Sequence, residues 1–595
     1  MRHVRIRNMA TMLQRTKASS KDVEFSTDSK RQFGGQAFQE LPVEQDRFGV
    51  WKSLWLGLAL WLVYSANLGA YYIGDAFGAT LLPVSVVRGD GVALDRFEWL
   101  IRENEGGVLP IHFEHRRGHL VSLYPLAPGL ILTPLVWPQV YLLDRLSPSW
   151  ESGPKAAQCL RMMAKNAVAV LVAVTGVGLM HLLLALGLSR LAAWFTVLTV
   201  SVGSTLWVVA SQAAWQHGPS ALFLTLAMLV LSTRHVSTHS LVTAGLAAGL
   251  MVVMRPTNVI FALALSGWVG WEHRRRAIAF LIPLAGMVSV LVASNIYLFG
   301  GPLGGQSLIE SHHPRIHRTA SPWSGDLVTG AAGTLLSPSH GLFIYCPWTL
   351  LAIASLGLTT RRLPPRSVAH WLLWALLPFG LTLSKYSVWW GGWCFGPRYW
   401  TDAMPILAIP FGFGLDWAAR QRRFLFPIFV ASGISAIGIE AVGAACYPSS
   451  WFQEPTNVDR DHARLWDWRD TELSRCLAEG PRSWPLRRVL AYLGLCKDVS
   501  SRTTSGRQTQ HPQSTQPARR RSMSLFYPSL SPECYVAGAV VKLGPLGSDP
   551  AKPKRPRQDA LIGFVSRERT HRDRVDAIKK QANSGAACKE RTFPS

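Results

Sequence analysis

Charged residues are scarce in this sequence. Asp, Glu, Lys and Arg make up 16% of its 595 residues, whereas they make up about 25% of an ordinary soluble domain. Apolar and aromatic types account for 48%, with 24 tryptophans among them, which leaves too few charges to cover a soluble multidomain protein. The composition therefore predicts an integral membrane protein.

Acidic residues are scarcer than basic residues, with 36 Asp and Glu against 61 Lys and Arg. A formal net charge of +25 is common among nucleic-acid-binding proteins, but no DNA- or RNA-binding motif accompanies it here. The basic residues lie in the tails and in short loops between apolar runs, as they do in membrane proteins. We therefore expect no nucleic-acid partner.

Metal-binding motifs are missing as well. The eight cysteines, spread from Cys159 to Cys588, form no CxxC pair and no repeated spacing, so they predict neither a zinc site nor a dense disulfide framework. Cys476 and Cys496 could pair on an oxidising face, and unpaired thiols are the alternative. The segment HHPRIH, residues 312–317, contains a proline that breaks the helical register a metal site would need. We therefore predict no metal ligands. A divalent metal cofactor remains an open alternative that no motif in the sequence supports.

Twelve apolar runs follow a polar N-terminal tail, residues 1–50, which lacks the features of a signal peptide. The first run, residues 51–72, is long enough to span a bilayer. The others cover residues 121–143, 164–188, 191–211, 219–233, 240–254, 257–271, 277–298, 341–359, 368–386, 402–418 and 424–446.

Three short basic loops predict the topology. They are EHRRR (272–276), TTRRLPPR (359–366) and AARQRR (418–423), and pairs of runs separate them. All three should therefore lie on one side, which the positive-inside rule makes cytoplasmic. A cytoplasmic N-terminus requires an even number of crossings before residue 272, yet seven runs lie there, so one of them should not cross.

The run 121–143 is the best candidate for the non-crossing segment. It contains Pro125, Pro128, Pro134 and Pro138, and prolines that remove backbone donors should break a spanning helix in lipid. We expect a re-entrant or interfacial segment here.

The alternative joins the two short runs on either side of Arg255 into one kinked helix.

If the run 121–143 is the one that does not cross, the sequence predicts an all-α polytopic membrane protein. It has about 11 transmembrane helices, residues 51–446, with a long first external loop. Residues 447–496 then form an external segment, and the basic low-complexity residues 497–595 a disordered tail.

Three hydrophilic stretches fall on the external face in this topology: residues 72–163, residues 299–340 and SVWWGGWCFGPRYWTDAMP (387–405). Asp75 lies at the outer end of the first run, where partial desolvation would raise its pKa and suit it to proton abstraction. The alternative is that Asp75 only caps a helix.

The stretch 387–405 combines glycines, tryptophans and one arginine. Its glycines allow sharp bends or a close approach to a ligand, its tryptophans offer flat amphipathic faces, and Arg398 supplies charge. This combination fits an anionic lipid group or a sugar ring, with Trp390, Trp393 and Tyr399 as contacts. The alternative is an aromatic belt with a snorkelling arginine, which leaves the glycines unexplained.

A second basic cluster lies in HFEHRRGHLVSLYP (112–125), where histidines and arginines crowd together. Arg117 and His119 could hold a phosphate here, because Arg offers a planar fork of donors. A solvated basic turn is equally consistent with these residues.

The order of these features resembles the GT-C superfamily of integral-membrane glycosyltransferases, in particular bacterial protein-mannosyltransferase and aminoarabinose-transferase types. The resemblance covers about residues 50–475 and rests on GDAFGATLLPVSVVRGDGVALDRF, the YP-containing stretch, the WQHG turn, WWGGWCFGPRYW and RLWDWRDTELSRCL. It implies a sugar carried on a polyprenyl phosphate, an active site on the external or periplasmic face of the inner membrane, and inversion at the anomeric carbon.

By position, the resemblance makes Asp75 the general base for the acceptor hydroxyl of a glycan, lipid or protein. The family commonly has paired acids here, whereas this chain has Gly74-Asp75-Ala76. The departing phosphate needs cations; Arg398 is the first choice, followed by Lys385, His217 and Arg255. Asp75 and Arg398 should then face one external cavity from opposite walls.

Two other hypotheses for the function remain open. One is a multi-span transporter or lipid flippase, and the other is a catalytically silent GT-C-like scaffold.

Overall fold

The computed structural model describes residues 48–104, 106–233, 235–312, 321–447, 449–483 and 485–488. The predicted tails, up to residue 47 and from 497 to 595, lie outside the described residues, as do Cys496, His313 and His317.

The described chain is mostly helical, as the sequence predicts, and its one sheet is the antiparallel hairpin β1 (Phe113–Arg116) and β2 (His119–Ser122). The α-helices are α1 (Val50–Ser65), α2 (Gly74–Val87), α3 (Glu98–Asn104), α4 (Ala127–Leu146), α5 (Ala156–Ala185), α6 (Arg190–Val202), α7 (His217–Leu231), α8 (Thr238–Met254), α9 (Val259–Glu272), α10 (Ala277–Phe299), α11 (Gln306–Ser311), α12 (Leu327–Leu336), α13 (Leu342–Tyr345), α14 (Trp348–Ala354), α15 (Leu356–Arg362), α16 (Val368–Lys385), α17 (Met404–Gln421), α18 (Phe426–Cys446), α19 (Ser449–Gln453) and α20 (Glu472–Glu479).

Several helices begin at a side-chain cap that the sequence provides. Ser237 accepts a hydrogen bond from the Ser240 amide at the start of α8, and Asp326 accepts one from the Thr329 amide at the start of α12. Thr471 forms a capping box before α20. Such caps satisfy amide groups that the first helical turn leaves without partners, so the helix starts are set locally.

Three helical segments among the described residues are long and apolar enough to cross a membrane: Ala156–Ala185, Arg274–Phe299 and Phe426–Cys446. Shorter apolar helices accompany them, including α1, α6, α7 and α8. Together they indicate a membrane protein. The sequence predicts about 11 crossings, which is more than these three segments provide.

The prolines of the run 121–143 do not break it. Residues Ala127–Leu146 form one continuous helix, α4, with Pro134 and Pro138 inside and Pro128 in the first turn. A proline in the first turn costs no hydrogen bond, because the amide there has no helical acceptor. Pro134 and Pro138 therefore do not break the helix as expected. That this run does not cross the membrane stays a prediction, and α4 is not one of the three segments above.

The chain reverses direction near Arg255. A methyl group on Gly245 would touch Phe280, and one on Gly249 would touch Leu284 and Met287, so α8 and α10 run side by side in the same direction. Since only α9 and a short turn connect them, α9 must run the opposite way. The alternative of one kinked helix through Arg255 is therefore wrong; α8 and α9 are separate helices.

The three basic loops lie at one end of the helical bundle. The Trp268 indole at the end of α9 donates to the Arg366 carbonyl, 2.7 Å away, which joins the first loop to the second. Ser355, before α15, packs against Gly414 near the end of α17, which brings the third loop to the same end. The grouping that the sequence predicts is thus present in the fold.

The long hydrophilic stretches gather at the opposite end. Gly305 packs against the Leu123 backbone and joins the first stretch to the second. The hydroxyl of Ser337 donates to the Leu465 carbonyl at 2.6 Å, which ties the second stretch to the segment after α18. The stretch 387–405 lies among them, because the Ser387 amide donates to the Pro322 carbonyl at 2.7 Å.

Candidate active site

An ion pair between distant residues marks the candidate site. Arg398 donates from one terminal guanidinium nitrogen to an Asp75 carboxylate oxygen at 2.8 Å, across 323 residues of sequence. Asp75 lies in the first turn of α2, where the helix dipole favours a negative charge, and Arg398 opens the helical turn before α17. The Asp75 side chain is 28% exposed and the Arg398 side chain 9%, so the carboxylate faces the opening and the guanidinium lies beneath it.

Glycines bend the backbone that presents Arg398. Gly391, Gly392 and Gly396 have φ values of 87°, 72° and 65°, in the left-handed region that other residues rarely adopt. A methyl group on Gly391 would lie 3.5 Å from the Arg398 Cβ, and one on Gly396 would lie 2.9 Å from the Tyr345 ring. The glycines therefore make sharp bends, one of the two roles that the sequence left open.

Aromatic rings surround the guanidinium. It lies 4.3 Å from the centre of the Trp215 ring and 5.2 Å from that of Tyr399, and both contacts favour the cation through the ring electrons. Asp75, Trp215 and Tyr124 line a narrow cleft of about 10 Å³ that is partly open to solvent. The WQHG turn thus supplies a wall of the site through Trp215.

The pKa of Asp75 moves in the direction opposite to our expectation. Burial is the largest single effect and would raise it, but the attraction of Arg398 and His112, together with hydrogen bonds that include one from Arg398, holds the pKa below its usual value. Desolvation without a paired cation would give the expected direction, whereas an opposite charge in contact lowers the pKa. Asp75 is therefore ionised at neutral pH.

His112 is the member of the basic cluster that reaches the site. Its Nε2 atom lies 3.8 Å from an Asp75 carboxylate oxygen, and its ring lies 5.6 Å from that of Tyr124. Gly74 leaves room for it, because a methyl group there would lie 2.9 Å from the imidazole. Because position 74 is a glycine and not a second acid, there is space for His112 beside Asp75.

A second, deeper network centres on Asp402, which the sequence analysis missed. The His217 and Asp402 side chains are hydrogen-bonded through Nδ1 at 2.7 Å, Asn258 donates to the other carboxylate oxygen at 2.8 Å, and Arg255 forms an ion pair with Asp402. All four side chains are buried. The network joins the starts of α7, α9 and α17 to the end of α8, and Tyr399 lies between it and Arg398, 5.6 Å from the Arg255 guanidinium.

Two further residues missed by the sequence analysis hold the Gly396 peptide. Glu472 accepts a hydrogen bond from the Gly396 amide at 3.0 Å, and His340 bonds to the Gly396 carbonyl through Nδ1 at 3.1 Å. The other His340 nitrogen lies 3.5 Å from Glu472. We call Gly396, His340 and Glu472 the Gly396 clamp. It fixes the backbone two residues before Arg398.

The two clamp side chains are buried, and burial shifts their pKa values in opposite directions. It lowers the pKa of His340 to about 4, so the imidazole is neutral at neutral pH, and it raises the pKa of Glu472 well above its usual value. Both shifts favour the uncharged form of each side chain beside Arg398.

Two predicted phosphate ligands of the hairpin β1–β2 lie away from the ion pair. Arg117 donates to the Tyr297 carbonyl at 2.7 Å and stacks over that ring at 4.1 Å. His119 pairs with Asp95 at 2.7 Å and is exposed. The structure does not bring them to Asp75, because the hairpin turn carries them to the edge of the stretch 72–163.

Three other predicted contacts also lie outside the cleft. Lys385 is exposed and donates to the Gly325 carbonyl at 3.0 Å. Trp390 is buried in an apolar cluster, and Trp393 donates to Asp459 at 2.9 Å. The tryptophans thus anchor the segment after α18, whereas Arg398, Tyr399, Arg255 and His217 assemble around Asp75 or directly behind it.

No group of three or more possible metal ligands occurs in the part of the chain that the structure describes. No protein-family model matches the sequence, and comparison with curated proteins finds no significant similarity. The geometry of the site is therefore the basis for inferring the function.

A substitution at Gly396 tests the bend that the clamp holds. Gly396→Ala forces a side chain into a left-handed backbone and against Tyr345, so we expect a loss of stability of about 1–3 kcal/mol. Gly357→Ala is the matched control, because its added methyl group would meet no atom within 4 Å. Thermal unfolding of the detergent-solubilised protein measures both, and an equal midpoint for the two variants would show that this bend does not require glycine.

Proposed function

We propose that this protein is an integral-membrane glycosyltransferase that moves a sugar from a polyprenyl-phosphate donor to an acceptor hydroxyl on the external face. The observation that carries the proposal is the Asp75–Arg398 ion pair, whose carboxylate lines a narrow cleft that is partly open to solvent. A transfer of this kind needs a base for the acceptor and a cation for the departing phosphate. The pair provides both within one site.

The proposed membrane arrangement has eleven crossings, with the three basic loops in the cytoplasm and the site outside. It is supported by the position of these loops at the end of the bundle opposite Asp75 and Arg398, as the positive-inside rule requires. The segments before α1 and after α18 then lie on opposite sides. In a bacterium this membrane is the inner membrane, and the site faces the periplasm.

In the proposed reaction, the donor phosphate binds to Arg398 and loosens its contact with Asp75. The pKa of Asp75 then rises, because the carboxylate loses part of its cationic partner and gains a negative neighbour. Asp75 takes the proton of the acceptor hydroxyl as the acceptor oxygen bonds to the anomeric carbon. The bond from that carbon to the phosphate oxygen breaks, and Arg398 stabilises the charge that develops there. Donor binding thus activates the base.

The size of the cleft limits what it can enclose. Its cavity volume of about 10 Å³ lies far below the ~300–1,000 Å³ of common small-molecule pockets. The proposal therefore requires the walls of the cleft to move apart when the sugar and phosphate enter, with the polyprenyl chain remaining outside. Tyr124 and Trp215 offer aromatic faces to the sugar ring on this assignment.

A binding measurement tests the phosphate role of Arg398. Arg398→Ala should weaken binding of polyprenyl monophosphate by about 2–5 kcal/mol, the range for loss of a buried charge partner. Lys385→Ala is the control, because Lys385 lies outside the cleft and should leave binding unchanged. Native mass spectrometry of the purified protein with this lipid gives both affinities, and equal affinities for the two variants would contradict the assignment.

A further inference from the structure

Two cysteines that the mechanism does not use meet where the external segment docks on the bundle. Cys446 is the last residue of α18, and Cys476 lies in α20. Both are about 1% exposed, and their side chains are hydrogen-bonded to each other. In this structure both are free thiols.

The backbone around the two thiols is held on both sides. The carbonyl of Ala444 accepts hydrogen bonds from Asn67 and Tyr71 at 2.7 Å each, which fixes the end of α18 to the end of α1. The Arg482 amide donates to the Ala445 carbonyl at 3.0 Å and fixes the chain after α20 beside it. The contact between the thiols is thus part of a packed junction.

We propose that Cys446 and Cys476 form a disulfide bond that fastens the external segment to the last span. The inference rests on the orientation in the proposed function, which places this junction on an oxidising face. A disulfide-bearing oxidoreductase is the co-reactant: one thiolate attacks its disulfide, the second thiolate displaces its sulfur from the mixed disulfide, and its two thiols carry away two electrons and two protons. Because both cysteines are buried after docking, the exchange takes place while the external segment folds.

The disulfide would act on the site through α20. Glu472 and Cys476 are four residues apart and therefore share one face of this helix, and both are buried. Glu472 holds the Gly396 amide in the clamp. A covalent bond at Cys476 would keep α20, and with it the clamp and the Arg398 turn, in place.

Differential alkylation of the full-length protein in native membranes tests the proposal. The membranes are denatured without reductant and treated with a light maleimide, then reduced and treated with a heavy one. Cys446 and Cys476 should carry the heavy label and Cys159 the light one, and a peptide linking Cys446 to Cys476 should be present before reduction. Light label on both residues, or a peptide linking Cys476 to Cys496, would overturn the proposal.

Serine variants provide a second readout. Cys446→Ser, Cys476→Ser and the double variant should lower the thermal midpoint by the same amount, because each removes the same bond, and Cys159→Ser should not change it. Independent, additive losses would overturn the proposal. Neither experiment measures sugar transfer, so a disulfide in a protein without transferase activity would refute the proposed function and leave this inference standing.

Discussion

Asp75→Asn is expected to lower sugar transfer by about 10²- to 10⁴-fold, the usual contribution of a general base. Asparagine has the same shape and can still accept a hydrogen bond from Arg398, but it cannot take a proton from the acceptor. Binding of polyprenyl monophosphate should therefore remain within a few-fold of that of the unmodified protein. The loss should lie in turnover alone, which separates a base from a residue that only supports the fold.

Asp90→Asn is the matched control for this experiment. Asp90 lies in the same hydrophilic stretch, residues 72–163, and pairs with the exposed Arg96 at 2.7 Å, outside the cleft. Cells lacking the protein are supplied with each variant, and the glycosylated product is quantified by mass spectrometry. Full product with Asp75→Asn would refute the assignment of the base, and joint loss of product and lipid binding would make Asp75 a structural residue.

Asp402→Asn is expected to cause the largest loss of stability, about 3–5 kcal/mol, which is the usual cost of removing one partner from a buried ion pair. The Asp402 side chain is fully buried and that of Arg255 is 6% exposed. The substitution would leave the Arg255 charge without its counter-ion among four converging helix ends. The substitution should therefore destabilise the fold and displace Tyr399.

Asp416→Asn, in α17, provides the comparison. The Asp416 side chain is also buried, but its partner Arg420 is 60% exposed and keeps its contact with water, and asparagine can still accept the hydrogen bond from Ser189. The expected loss is therefore smaller than for Asp402→Asn. Thermal unfolding of the solubilised variants measures the two losses. Equal midpoints for Asp402→Asn and Asp416→Asn would show that the Asp402 network does not hold the helix ends together.

The parts of the fold that follow from local composition could be predicted from the sequence. Apolar runs became helices, and the three basic loops lie at one end because each follows or precedes such a run. The proximity of Asp75 and Arg398 could be predicted in the same way, since both lie at run ends on the opposite side. Their direct ion pair could not, because its geometry depends on how α2 packs, and so the predicted direction of the Asp75 pKa was wrong.

The parts that depend on long-range packing could not be predicted. Asp402 follows Arg398 by four residues in the printed sequence, yet only the packing of α7, α8 and α9 reveals its partners. His340 and Glu472 acquire a role through Gly396, to which no sequence motif connects them. Trp390 and Trp393 belong to a sequence motif, but in the structure they anchor the segment after α18.

Mass spectrometry of lipid-linked sugars and envelope glycans, from cells with and without this gene, tests the central claim most directly. If the protein is the proposed transferase, cells without it should accumulate one polyprenyl-phosphate-linked sugar, and one glycan, lipid or protein should lose the mass of that sugar. Unchanged lipid-linked sugars together with unchanged glycans would contradict the account.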